Sequence, residues 1–120
     1  MNSSADLETR TRDFSLEIIR FCSRLPRETP AQVLGKQWLR SATSVGAQYR
    51  EAQRAKSAAD FISKSEGALQ ELDETAYWLE LIDGSAIDSS AVVKDLRSET
   101  EQLISILVTI VRKAKENSGK

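Results

Sequence analysis

Apolar residues recur at intervals of three and four along this 120-residue chain, and this spacing restricts the fold more than any other feature. Such intervals place apolar side chains on one face of an α-helix, whereas a half-buried strand requires strict alternation. No stretch of the sequence sustains that alternation. One helical stripe, for example, runs through Leu34, Trp38, Ser41, Val45, Tyr49 and Ala52. The chain is therefore predicted to be all-α.

Three breaks, at residues 26–30, 56–57 and 83–85, divide the chain into four helical segments. Ser57 is a candidate N-cap, with Asp60 three residues later as in a capping box, and Gly84 is a candidate residue just past a helix end. Because the connections are short, neighbouring helices should be antiparallel, so we predict one domain, an up-down-up-down four-helix bundle with long helices. The predicted domain spans residues 1–120, with helices over about 6–25, 30–54, 58–82 and 89–115.

Two glycines, Gly46 and Gly67, lie deep inside the second and third predicted helices. Each costs a helix up to about 1 kcal/mol relative to alanine. Close approach of a neighbouring helix would offset this cost, and the alternative is that both positions are neutral.

The composition excludes most catalytic and metal chemistry. There is no histidine, and Cys22 is the only cysteine, so imidazole catalysis, intrachain disulfides and multi-cysteine metal sites are not expected. We expect no enzyme and no cofactor; catalysis would require Asp, Glu, Lys or Tyr in a cleft that the sequence does not reveal. An acidic row at Glu66, Asp73 and Glu80 lacks the histidines of di-iron bundles, so a solvated face or docking onto a basic partner is the favoured interpretation.

The location of the protein is predicted from what the sequence lacks. The first residues contain no apolar core of a signal peptide, and the longest strongly apolar run, residues 103–111, is under half a membrane span. With a single cysteine, a reducing cytoplasm is the expected location and no membrane is an expected partner.

Charge is segregated along the chain although the net charge is only −1. Residues 20–64 contain nine basic and three acidic residues, whereas residues 65–101 contain two basic and ten acidic ones. In the second helix, four cations fall within an 80° arc opposite the apolar stripe, over about 27 Å. We call this set the basic ridge: Lys36, Arg40, Arg50 and Arg54.

The basic ridge predicts binding of a nucleic-acid backbone, RNA or DNA, without base reading. No aromatic residue interleaves it, so stacking of single-stranded bases is not supported. Two alternatives remain open: the ridge is a solvated face, or it pairs with acidic helices of its own or a neighbouring subunit.

The fourth helix carries an apolar band about twice as wide as one core face requires. Its excess residues, together with a tryptophan at the edge of the third stripe, predict a homo-oligomer interface. The alternative is that loops of the bundle cover this band. The candidate interface residues are Trp78, Ile104, Val108 and Val111.

The central two helices carry a distinctive set of residues: Gln37, Leu39, Arg40, Ser41, Ala42, Ser44, Val45, Ala47, Tyr49, Glu51, Ala52, Ser57, Phe61, Ile62, Lys64, Glu71, Glu74, Thr75 and the run Tyr77-Trp78-Leu79-Glu80-Leu81. In these residues the chain resembles the 23S rRNA-intervening sequence protein family. Two positions depart from the family pattern, because Gln48 stands where asparagine is usual and Gly67 where a larger residue is common.

The resemblance implies a four-helix bundle assembled into a ring, typically of five subunits, with no known enzymatic activity. A related branch, the accessory variability determinant proteins of diversity-generating retroelements, uses a basic surface to bind nucleic acid and a reverse transcriptase, and the basic ridge would be its counterpart. We therefore expect a non-enzymatic homopentamer that binds nucleic acid weakly and takes no small-molecule substrate. The alternative is a protein–protein interaction scaffold.

Overall fold

Four α-helices joined by short connections make up the described part of the chain. The structure, a computed structural model, describes the backbone of residues 3–119 and the side chains of residues 6–119. The helices are α1 (Ser3–Cys22), α2 (Thr29–Gln53), α3 (Ala58–Gly84) and α4 (Ala91–Ser118). Consecutive helices pack antiparallel, most extensively α2 on α3, while α1 and α4 meet over few residues. The predicted four-helix bundle is confirmed.

One core is formed where the apolar stripes of the four helices meet. In α2, Trp38, Val45 and Tyr49 are buried, and the Trp38 ring stands edge-on to Phe21 with centroids 5.8 Å apart. The Trp38 indole Nε1 has no hydrogen-bond partner among the described residues. Among the described residues, no helix carries an apolar stretch long enough to cross a lipid bilayer.

The connection between α1 and α2 begins earlier than the periodicity suggests. α1 ends at Cys22, and the Leu25 amide donates to the Cys22 carbonyl in a turn, because Pro26 disfavours helical geometry in the residue before it. Leu25 nevertheless stays buried. A Cβ on Gly35 would lie 2.7 Å from Leu25 Cδ1, so the glycine leaves the space that Leu25 fills.

The ends of α3 show one expected and one unexpected cap. Ser57 Oγ accepts a hydrogen bond from the Asp60 amide at 3.1 Å, as the capping pattern predicts. At the other end Gly84 is the last helical residue, and the left-handed residue is Ala86, with φ 61°. The prediction of Gly84 as the residue past the helix end was therefore wrong. The chain turns two residues later, where the Ala86 amide donates to the Asp83 carbonyl.

The surroundings of the two interior glycines differ: the backbone of α1 lies close to Gly46, which confirms the interpretation there, whereas the neighbour of Gly67 is a side chain of α2. A Cβ on Gly46 would stand 3.3 Å from Thr11 Oγ1 of α1. A Cβ on Gly67 would overlap the side-chain amide of Gln48 on α2. The two departures from the family pattern are thus in contact, and the missing side chain at Gly67 makes room for the longer one at Gln48.

Candidate nucleic-acid interface

The basic ridge lies on the outer face of α2. All four of its side chains are exposed, while the residues on the opposite side of the helix, such as Trp38 and Val45, are fully buried. The direction of the ridge follows from helical geometry alone, because residues 4, 10, 14 and 18 positions apart return to one side at 100° per residue.

Arg40 is held by two carboxylates of α3. Its Nη1 lies 3.2 Å from Glu71 Oε2, and its Nη2 bonds Glu74. The Trp78 indole also donates to Glu74, at 2.9 Å. This hydrogen bond and the Arg40 contact lower the pKa of Glu74, and the bond to Glu74 raises the pKa of Arg40. Half of the Arg40 side chain remains exposed.

The other three ridge cations are less engaged. Arg50 Nε lies 3.3 Å from Glu8 Oε1 of α1, with 54% of the Arg50 side chain exposed. Lys36 and Arg54 form no ion pair with any described residue. The ridge therefore divides into one paired cation, Arg40, one partly paired cation, Arg50, and two that are available to a ligand.

An open groove of about 580 Å³ runs between α1 and α2, beside the half of the ridge that carries Arg50 and Arg54. We call it the α1–α2 groove. Arg12 and Leu16 border it from α1, and Ala47, Arg50 and Arg54 border it from α2. Arg12 was not predicted as a binding residue, because it lies on a different helix from the ridge and its proximity depends on how α1 packs against α2.

The acidic row of α3 does not gather into a metal site. Glu66 pairs with Lys115 of α4 at 3.0 Å, and Asp73 and Glu80 are exposed. Within the described part of the chain, no three Cys, Asp or Glu side chains are grouped so that they would hold a metal ion. A carboxylate closer to the end of α3, Asp83, bonds Arg97 at 2.8 Å, which lowers the pKa of Asp83.

The four predicted interface residues differ in exposure. Val108 is 45% exposed, and Trp78 and Ile104 are half-buried. Val111 is only 7% exposed, so its placement on the surface of the bundle was wrong: it lies on the side of α4 that also buries Leu107. Tyr77 was not among the predicted interface residues, yet it is 52% exposed beside Trp78, with ring centroids 5.3 Å apart.

The architecture and the sequence both agree with one protein family. A sequence model of the 23S rRNA-intervening sequence protein family matches residues 5–109. The chain belongs to this family. The resemblance drawn from the central helices is thereby confirmed, and it extends over most of α1 and α4 as well.

A solved structure supports the same assignment. It is the crystal structure of a protein with unknown function from the S23 ribosomal protein family of Bacteroides thetaiotaomicron. The two chains are 34% identical with a TM-score of 0.81, over 88% of this chain and 97% of that one. No curated protein matches this chain.

Proposed function

We propose that this chain is a non-enzymatic, cytoplasmic homo-oligomer that binds the phosphate backbone of nucleic acid weakly and without sequence preference. The observation that carries the proposal is the outward basic ridge, on which Lys36 and Arg54 are unpaired among the described residues and Arg50 is half exposed. Cations of this kind bind phosphates by releasing condensed counterions, which requires no contact with base edges.

The pairing of Arg40 lowers the number of ridge cations that we expect to contact phosphates. Arg40 is already bonded to two carboxylates, so a ligand meets Lys36, Arg50 and Arg54 first. Three ridge contacts to duplex DNA contribute about −2.7 to the slope of a plot of log affinity against log salt concentration. Affinity that is modest and strongly reduced by salt is therefore expected of a single chain.

A mobility-shift titration with duplex DNA and with hairpin RNA tests this function. We expect a shift at 50 mM salt that weakens at 200 mM, with the slope above for each chain that contacts DNA, and equal affinity for unrelated sequences. Absence of a shift at 50 mM salt contradicts the proposal. A shift whose strength depends on the sequence contradicts the absence of base reading.

The assembled state is the second part of the proposal. Val108 on α4 is 45% exposed and Tyr77 on α3 is 52% exposed, and a neighbouring subunit would cover these side chains. The family resemblance indicates five subunits. We expect light scattering at micromolar concentration to give a mass near five times the 13.3 kDa of one chain. The substitution Val108→Asp should lower that mass. A mass of 13.3 kDa for the unmodified chain would contradict assembly.

A scaffold that binds only proteins is the second candidate, and the Arg40 contacts favour it. Glu71 and Glu74 show that α3 carboxylates neutralise at least one ridge cation within the chain. If neighbouring subunits extended this pairing to Lys36 and Arg54, the ridge would be an interface. Such an assembly dissociates as salt is raised and shifts neither DNA nor RNA, which distinguishes it from the nucleic-acid binder.

A further inference from the structure

We propose that the α1–α2 groove seats a sugar-phosphate unit of the bound strand, so that the strand crosses from α2 onto α1 and contacts Arg12. This inference rests on the proposed function and adds a binding element to it. The ridge alone is a line of cations on one helix, whereas Arg12, Arg50 and Arg54 border one groove from two helices.

Charge within the groove favours an anionic occupant. Three arginines border it, together with the carboxylates Glu8 and Glu51. Arg50 Nε already pairs with Glu8 at 3.3 Å, so the two terminal nitrogens of Arg50 remain for a ligand. Arg54 has no ion pair among the described residues, and Arg12 lies 3.6 Å from its exposed neighbour Asp13.

The shape of the groove follows from small residues on α2. Gly46 lets α1 approach, because a Cβ there would meet Thr11, and Ala47 contributes only a methyl group to the floor. The nearby hydroxyls are already used: Thr43 Oγ1 donates to the Leu39 carbonyl at 2.8 Å, and Ser15 Oγ to the Thr11 carbonyl at 3.1 Å. The arginines are therefore the main groups left to bind an anion.

A polynucleotide strand fits these features better than a free nucleotide does. The volume of about 580 Å³ lies within the range of small-ligand sites, so one sugar-phosphate unit has room. No aromatic side chain borders the groove, so a base has nothing to stack on. The three arginines and two carboxylates sum to a single positive charge, which suits one phosphodiester within a longer contact along the ridge.

Two substitutions test the groove by independent routes. Arg12→Gln removes a cation that lies off the ridge, and Ala47→Leu fills the floor without changing any charge. Both positions are exposed, so folding should be retained, and circular dichroism checks this. Matched controls are Lys113→Gln and Ala59→Leu, which make comparable changes at exposed positions outside the groove.

We expect each groove variant to lower the salt slope for duplex DNA by about 0.9, and the affinity at 0.1 M salt by about eightfold. Both controls should match the unmodified chain.

If Arg12→Gln and Ala47→Leu bind normally while Arg54→Gln weakens binding, the inference is wrong and the proposed function stands. If the unmodified chain does not bind, both fail. Competition by adenosine monophosphate at the same phosphate concentration as the duplex would make the groove a nucleotide site and overturn the inference.

Discussion

Replacement of Trp38 by alanine is expected to lower the free energy of unfolding by about 3–5 kcal/mol. Trp38 is completely buried in the middle of α2 and packs edge-on against Phe21 of α1. Its removal leaves a cavity between two helices whose backbones are already close at Gly46, and such a site collapses only partly. Urea denaturation followed by far-ultraviolet circular dichroism measures the loss.

Trp38→Phe separates the volume of the side chain from its polar atom. The buried Nε1 has no partner among the described residues, and an unpaired buried donor costs about 1–3 kcal/mol. Phenylalanine removes that cost while it fills most of the space, so we expect a loss below about 1.5 kcal/mol. Equal losses of unfolding free energy for the two variants would show that Nε1 forms a hydrogen bond in solution. That result would contradict the assignment of Nε1 as an unpaired donor.

Features that depend on one helix are the ones that the sequence predicts. The outward direction of Lys36 and Arg54 needs only the 100° rotation per residue and the position of Trp38 on the opposite face. The N-cap at Ser57 is likewise local, since its partner lies three residues away. Periodicity and turn residues therefore predict four helices and the exposed ridge.

Features that depend on how two helices meet were not predictable from the same patterns. Glu71 and Glu74 are 31 and 34 residues from Arg40, and their contact depends on the level and rotation of α3 against α2. The position of Arg12 beside the groove and the burial of Val111 have the same origin. Stripe width alone does not say which edge of α4 a neighbour covers, so the Val111 prediction failed while Val108 is exposed.

The double substitution Arg50→Gln with Arg54→Gln is expected to weaken duplex DNA binding by about 60-fold at 0.1 M salt and to lower the salt slope by about 1.8. Each lost phosphate contact accounts for about eightfold of this, because affinity falls with roughly the 0.9 power of salt concentration per contact. The loss of the exposed Arg50–Glu8 pair costs the fold at most about 1 kcal/mol. Fluorescence anisotropy over a salt series measures both quantities.

A matched control separates local contact from net charge. Arg112→Gln with Lys113→Gln removes the same two charges from exposed positions on α4. If the ridge contacts the phosphates, this pair should leave the slope unchanged and the affinity nearly so, because exposed charges beyond the Debye length of about 10 Å at 0.1 M salt are largely screened. Equal losses from both pairs would mean that binding responds to total charge and that the ridge is not the contact surface.

The opposite change tests whether the α3 carboxylates limit the proposed binding. Glu71→Gln with Glu74→Gln removes both carboxylates that hold Arg40. Only the arginine is exposed, whereas the carboxylates are partly buried, so circular dichroism first checks that the variant folds. Arg40 then becomes the fourth available cation of the ridge, so binding should strengthen by up to about eightfold at 0.1 M salt and the slope should steepen by about 0.9. Unchanged binding would show that the strand does not reach Arg40, and would confine the contact to the end of α2 that carries Arg50 and Arg54.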